Sequence, residues 1–228
     1  DGATGLFTLT RTGPTTSPLL VPLAWSGTAV AGTHYSTPPS SVLIPAGSSS
    51  ATVTVTPVAD DIAQGDRTVI LTVATDFSLS AGATASDTVT IQDKPYDAWR
   101  FARFTTAELA DTSVSGPAAD TDHDGLANLM AYALDAEPET SDATTHAPVV
   151  GLSSGYLTLT YTRPSSIADV SYTVQWSADL QSWSSGSGVA ETVSTTNNGD
   201  GTSTIVSRSV TPMADNVRQF LRLQVTRQ

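Results

Sequence analysis

A chain of 228 residues is long enough for two domains with real cores, and 22 Asp+Glu against 10 Lys+Arg give it a formal net charge of −12. That balance, with a sequence pI of about 4.3, argues against nucleic acid and anionic membrane surfaces as partners, because both require basic patches. No cysteine is present, which excludes disulfides, zinc–thiolate sites and thiol catalysis. No apolar run approaches the roughly 18 residues of a membrane-spanning helix.

Only 14 % of the residues are charged and Thr and Ser are plentiful, a composition common in secreted β-proteins. The chain opens at Asp1 without a methionine, so it is expected to be a piece of something longer.

In the first third, residues 6–11 (LFTLTR), 51–58 (ATVTVTPV), 68–74 (TVILTVA) and 87–92 (DTVTIQ) alternate apolar and polar side chains. Period-two alternation with β-branched residues predicts half-buried strands. Turn clusters stand between them: Thr12-Gly13-Pro14, Gly27, Gly32, Pro38-Pro39, Gly47 and Gln64-Gly65-Asp66. Short strands at regular spacing, with no pattern of helical length, predict an antiparallel sandwich.

The run TLTRTG (8–13), then SGTAVAGTHY (26–35), VLIPAGSSSATVTVTPVADD (42–61) and DRTVILTV (66–73), resembles a bacterial Calx-β domain over residues 1–93. The resemblance implies an immunoglobulin-like sandwich that binds calcium through acidic loops at one end. His34, Gln64 and Arg67 stand where that family usually carries acids, leaving Asp60 and Asp61, with Asp66 and Asp93, as weaker metal candidates. Solvated acidic loops are the preferred reading there, because a cation needs several anionic oxygens to offset its dehydration.

Residues 96–104 (YDAWRFARF) drop the alternation, and Tyr96, Trp99 and Ala102 fall on one helical face. Asp97 is placed to cap this helix or join its first turn. A short second turn, AELAD (107–111), follows, and Ser115-Gly116-Pro117 breaks it.

Next comes DTDHDGLANLMAY (120–132), the one stretch whose spacing carries chemistry. Asp120, Asp122 and Asp124 alternate, so their carboxylates gather hard oxygens around one point, and Gly125 supplies the sharp turn of a calcium loop. They fill places one, three and five. The carbonyl of Leu126 takes place seven, and Asn128 place nine, directly or through water. Leu126, Leu129, Met130, Ala133 and Leu134 then follow the i, i+3, i+4, i+7, i+8 template of a core-facing helix, which Glu137-Pro138 ends.

Place twelve, normally a bidentate Glu, is Ala131. Asp111 or Asp135 is the candidate replacement, and calcium is expected to bind towards the weak end of the range, ~10⁻⁴–10⁻³ M. An Asx-rich turn capping a helix is the plainer alternative, but three alternating Asp with Gly and Asn exceed what a cap requires. YDAWRFARFT, VSGP and DTDHDGLANLMAYAL resemble segments of large secreted bacterial proteins and are similar to dockerin-type and thrombospondin type-3 calcium repeats. Dockerins carry two such loops and this chain one, so no cohesin partner is expected.

From Pro148 the alternation returns: Leu157, Leu159 and Tyr161 share a face, as do Tyr172, Val174 and Trp176, and Leu221, Leu223 and Val225. Asn197-Asn-Gly-Asp-Gly201 is a hairpin signal. YTVQWSADLQSW (172–183) and RQFLRLQV (218–225) resemble the terminal, fibronectin-III-like β-domain of the same secreted proteins, and the chain is expected to stop at a true C-terminus.

No spacing supports catalysis. His34, His123 and His146 lie in loops of different modules, without a nucleophile elbow, and no glycine-rich phosphate loop follows a strand.

The reading is therefore a mainly β protein with two immunoglobulin-like sandwiches, residues 1–94 and 148–228, joined by a helical linker, 95–147, that carries the calcium loop. Its expected role is non-catalytic: a structural or adhesive C-terminal segment of a secreted or cell-surface bacterial protein, monomeric in isolation, in which calcium stiffens the linker. A cell-surface protein or a glycan is the partner class. The alternative is a carbohydrate-binding module of a polysaccharide-degrading enzyme, with Trp183 as the aromatic for sugar stacking; aromatic burial is the default for Trp25, Trp99 and Trp176.

Overall fold

The computed structural model describes residues 3–74, 85–215 and 218–228. They form two compact units, Asp1–Ala98 and Trp99–Gln228. Both are built mainly from antiparallel sheets.

In the first unit, β1 (Gly5–Thr10) pairs with β4 (Ser50–Val55), while β2 (Leu19–Ser26), β3 (Ser41–Ile44), β5 (Arg67–Val73) and β6 (Ser86–Ile91) form a second sheet in the order β3-β2-β5-β6. Alternation decides which side chains go inward. Phe7 and Leu9 of β1, Val53 and Val55 of β4, Val21 and Leu23 of β2, Ile44 of β3, and Val69 and Leu71 of β5 share one buried core. Their polar neighbours in sequence point outward, as the period of two requires. β2 and β3 escape a reading by strict alternation, because Pro22 and a run of apolar residues interrupt it.

In the second unit, β7 (Val149–Ser153), β8 (Tyr156–Pro164), β11 (Ala190–Asn197) and β12 (Thr202–Ser209) make a sheet in the order β11-β12-β8-β7. The facing sheet is β10 (Ser184–Ser185), β9 (Val170–Ser177) and β13 (Phe220–Arg227), in the order β10-β9-β13. Asn197 pairs with Ser203 across the expected hairpin. Its turn is held by Gly199 N–H donating to Asn197 Oδ1 at 2.8 Å and Thr202 N–H to Asp200 Oδ1 at 2.9 Å.

Along the chain, α1 (Pro95–Arg103), α2 (Thr106–Leu109), α3 (Thr112–Ser115), α4 (Asn128–Leu134) and α5 (Ala143–His146) follow β6 and precede β7. Thr105 and Glu108 cap α2 reciprocally, each side chain taking the other's backbone N–H, which explains why so short a helix forms. α4 begins two residues later than its apolar pattern, with Leu126 in the loop before it. It ends at Asp135, in the left-handed region at φ 61°.

The segment read from sequence as a separate linker shares a core with the second pair of sheets. Leu126, Ala131, Leu134 and Ala136 pack in one cluster with Leu157, Leu159, Tyr161, Ile205, Leu221 and Leu223. Two tyrosines pin α4 further. Tyr132 donates to Asp169 Oδ1 at 2.6 Å, and Tyr172 donates to the Ala133 carbonyl at 2.7 Å. Periodicity announces an apolar helix face but not which sheet it meets.

Candidate metal centre

The loop before α4 is fixed from both sides. Arg100, 7 % exposed, donates through Nε to the Ser115 carbonyl at 2.8 Å, holding the end of α3. Asn128, fully buried, donates through Nδ2 to the carbonyls of Val114 and Gly116 at 2.8 and 2.9 Å. Its own N–H donates to Ala119 at 2.8 Å. At Gly116 a Cβ would collide with the Thr112 carbonyl, so no side chain fits that turn. Residues 120–127 thus leave and return at points set by buried hydrogen bonds.

Within the loop, Asx turns fold the chain inward. Asp122 Oδ1 accepts from Asp124 N–H at 3.3 Å, Asp120 Oδ2 from Gly125 N–H at 3.0 Å, and Asp124 Oδ1 from Leu126 N–H at 2.8 Å. Gly125 sits at φ 94°, a conformation that L side chains rarely adopt. As a result Asp120, Asp122 and Asp124 each offer an oxygen lying within 4.8 Å of the other two. Ligands around one Ca²⁺, at about 2.3–2.6 Å each from the ion, are separated by no more than about 5 Å.

Two oxygens decide whether the residues suit a cation. Asp120 Oδ1 and Asp122 Oδ2 are buried and have no hydrogen-bond partner in the protein, and neither has Asn128 Oδ1. A buried carboxylate oxygen left unpaired costs free energy that a bound cation repays. Burial pushes the Asp122 carboxyl above its ordinary value, and the charges of Asp124 and Asp120 push the same way, against the N–H of Asp124. The donor set is all oxygen and anionic, the chemistry of calcium rather than of zinc or copper.

The proposed replacements at place twelve go elsewhere. Asp111 caps α3, its Oδ1 accepting from Ser113 N–H at 2.9 Å and Ser113 Oγ at 2.6 Å, which hold its carboxyl below the usual range. Asp135 is the left-handed C-cap of α4. Ala131 itself is 1 % exposed, turned into the apolar core. His123 leans back on the Thr121 carbonyl at 3.0 Å and is exposed.

At the acidic end of the first unit the side chains satisfy one another. Asp60 accepts from Ile62 N–H and from Gln64 Nε2, both at 3.1 Å, and Asp61 pairs with Lys94 at 2.9 Å. Asp93 Oδ2 takes the N–H groups of Gln64 and Gly65 at 2.9 and 2.8 Å. His34 Nδ1 accepts from Val30 N–H at 2.7 Å, so in the neutral ring Nε2 carries the proton and donates to Gln64 Oε1 at 3.1 Å. Arg67 Nε donates to that same oxygen at 3.1 Å. An imidazole, an amide and a guanidinium (His34, Gln64 and Arg67) thus occupy the ground where further acids would be needed. Among the described residues, the one group of three metal-type ligands is Asp120, Asp122 and Asp124.

No protein-family model matches the chain, and no curated protein matches it. Solved structures similar to it include two CBD12 structures. The calcium-binding domain CBD12 of CALX1.1 is 13 % identical over 98 % of this chain and 73 % of that one, with a TM-score of 0.41. CBD12 from CALX1.2 is 13 % identical over 91 % of this chain and 69 % of that one, with a TM-score of 0.39. Superpositions this loose transfer no residue from one chain to the other.

The tryptophans are engaged. Trp25 packs edge-on against Phe7 and donates to the Pro39 carbonyl at 2.8 Å. Trp99 meets Phe104 and Tyr132 edge-on, and Trp176 donates to Gln219 Oε1 at 3.0 Å. Trp183 is half-buried, and the guanidinium of Arg222 lies 4.1 Å from its ring centroid. One face of the sugar platform that the alternative reading requires is covered by an arginine of β13.

Proposed function

We propose that this chain is a non-catalytic structural segment of a secreted or cell-surface bacterial protein, in which calcium closes the loop 120–128 and stiffens the helical segment between two β-domains. The observation that carries the reading is the pair of buried, unpaired oxygens on Asp120 and Asp122 beside Asp124. Asp120, Asp122 and Asp124 would hold the ion with the Leu126 carbonyl and Asn128. The ion supplies positive charge that offsets three mutually repelling carboxylates.

The rest of the molecule supports a mechanical role. Leu126 and α4 belong to the same core as the strands, so an ion that fixes the loop also fixes the first turn of a packed helix. The acidic surface suits a protein that meets divalent cations. No helix among the described residues is long and apolar enough to cross a membrane. An anchoring or adhesive role, with a cell-surface protein or glycan as partner, extends the same proposal.

Thermal unfolding and limited proteolysis with 10 mM CaCl₂ or with chelator test it. For an affinity of ~10⁻⁴–10⁻³ M, that concentration stabilises the chain by about 1.4–2.7 kcal/mol through mass action, or several degrees in Tm. Cleavage within 117–128 slows in calcium. Superimposable melting and digestion curves contradict the reading.

A further inference from the structure

We propose that Asp142 is the carboxylate that completes this calcium site, and that the ion thereby clips residues 137–147 onto the loop. The inference rests on the calcium reading above.

The helix position that supplies a bidentate acid in a complete loop is closed to one here. Ala131 is 1 % exposed among Leu134, Leu157 and Leu159, and a carboxylate in that core would have to shed its water without a partner. Another part of the chain comes over the loop instead. Asp142 N–H and Ala143 N–H both donate to Asp124 Oδ2, at 3.0 and 2.8 Å, and Ser141 Oγ donates to the Asp122 carbonyl at 3.5 Å. These contacts bring residues 141–143 against the third and fifth places of the loop from 18 and 19 residues away in sequence.

Asp142 arrives there with an oxygen to spare. Its Oδ2 accepts from Glu137 N–H at 3.2 Å and faces His146 Nδ1 at 3.3 Å. Its Oδ1 is buried and has no hydrogen-bond partner, the same condition as Asp120 Oδ1 and Asp122 Oδ2. Asp142 Oδ1 is thus a third buried, unpaired carboxylate oxygen, on a segment whose backbone is hydrogen-bonded to the loop, and a divalent cation held between loop and segment would satisfy it. Asp142 stands outside the group whose oxygens lie within 4.8 Å of one another. Ion binding is therefore expected to draw residues 141–143 inward, or to reach Asp142 through one water.

The test is calcium titration by calorimetry on the chain stripped of metal, paired with amide exchange over residues 137–147. Asp142→Asn keeps a side-chain oxygen for Glu137 N–H but loses the charge. Asp142→Glu keeps the charge on a longer arm. Glu139→Gln removes an exposed acid from the same segment, and Asp122→Asn removes a loop ligand.

The proposal expects Asp142→Asn to weaken binding about tenfold or more and to abolish calcium-dependent protection of 137–147. Asp142→Glu and Glu139→Gln should stay within a few-fold of the unaltered chain, with circular dichroism unchanged throughout. Wild-type affinity in Asp142→Asn, together with a loss in Asp122→Asn, overturns the role of Asp142 and leaves the loop site standing. No calcium binding by the unaltered chain removes the site itself, and this proposal with it.

Discussion

Asp122 and Asp124 look interchangeable as ligands, yet the structure gives them different work. Asp124 accepts three backbone N–H groups, from Leu126, Asp142 and Ala143; Asp122 accepts one, from Asp124. Asp124→Ala should therefore destabilise the chain by about 1–3 kcal/mol in chelator as well as in calcium, because it leaves three part-buried donors without their acceptor. Asp122→Asn keeps an acceptor and removes one of three crowded charges. Without calcium it should melt at or above the temperature of the unaltered chain, and it should lose the calcium-induced rise. Melting curves of both variants, with and without the ion, check this pair of signs. The three alternating Asp and Gly125 are legible in sequence because calcium loops are local. Asp142 is not, since nothing between Asp124 and Asp142 announces that the chain doubles back.

Among the elements, α4 shows most clearly what pattern reveals and what it withholds. Leu126, Met130 and Leu134 mark an apolar stripe, but the partners of that stripe come from β8, β12 and β13, up to about a hundred residues downstream. The bonds that fasten it are long-range as well: Tyr132, on α4 itself, reaches Asp169, and Tyr172 of β9 reaches back to Ala133. Burial pushes the Tyr172 hydroxyl up to about 12, with Tyr161 and Asp169 adding to the rise and Arg163 opposing it. Burial first, then the bond to Asp169, raises Tyr132 as well.

A folded-state value above the ordinary 10 means that the native chain binds more protons than the unfolded one between the two values. Stability is thus fully present below pH 10 and falls as pH rises from 10 towards 12. Denaturant unfolding at pH 8, 10 and 11.5 should show this decline, and Tyr172→Phe should lose part of it. A flat profile across that range would mean that the folded chain does not hold the Tyr172 phenol out of water. α2, α3 and α5 have four residues each, too few for any helical period, and only caps such as Thr105–Glu108 betray them.

For the molecule as a whole, the mainly β, antiparallel architecture follows from alternation in β1, β4, β5, β8, β9 and β13, where each inward residue joins a core. Composition and charge also pointed away from nucleic acid and towards divalent cations. The grouping of the helical segment with the second pair of sheets was not legible, because burial of α4 depends on a surface that the linear pattern does not name. The consequence is physical: on the proposed reading, an ion in the loop would act on the core that α4 shares with those sheets.

The most direct test of this account is a crystal grown in excess CaCl₂ and measured for anomalous scattering. The account predicts a peak with calcium-to-oxygen distances of about 2.3–2.6 Å among Asp120, Asp122 and Asp124. Ordered water alone between those three carboxylates, at millimolar calcium, would contradict it.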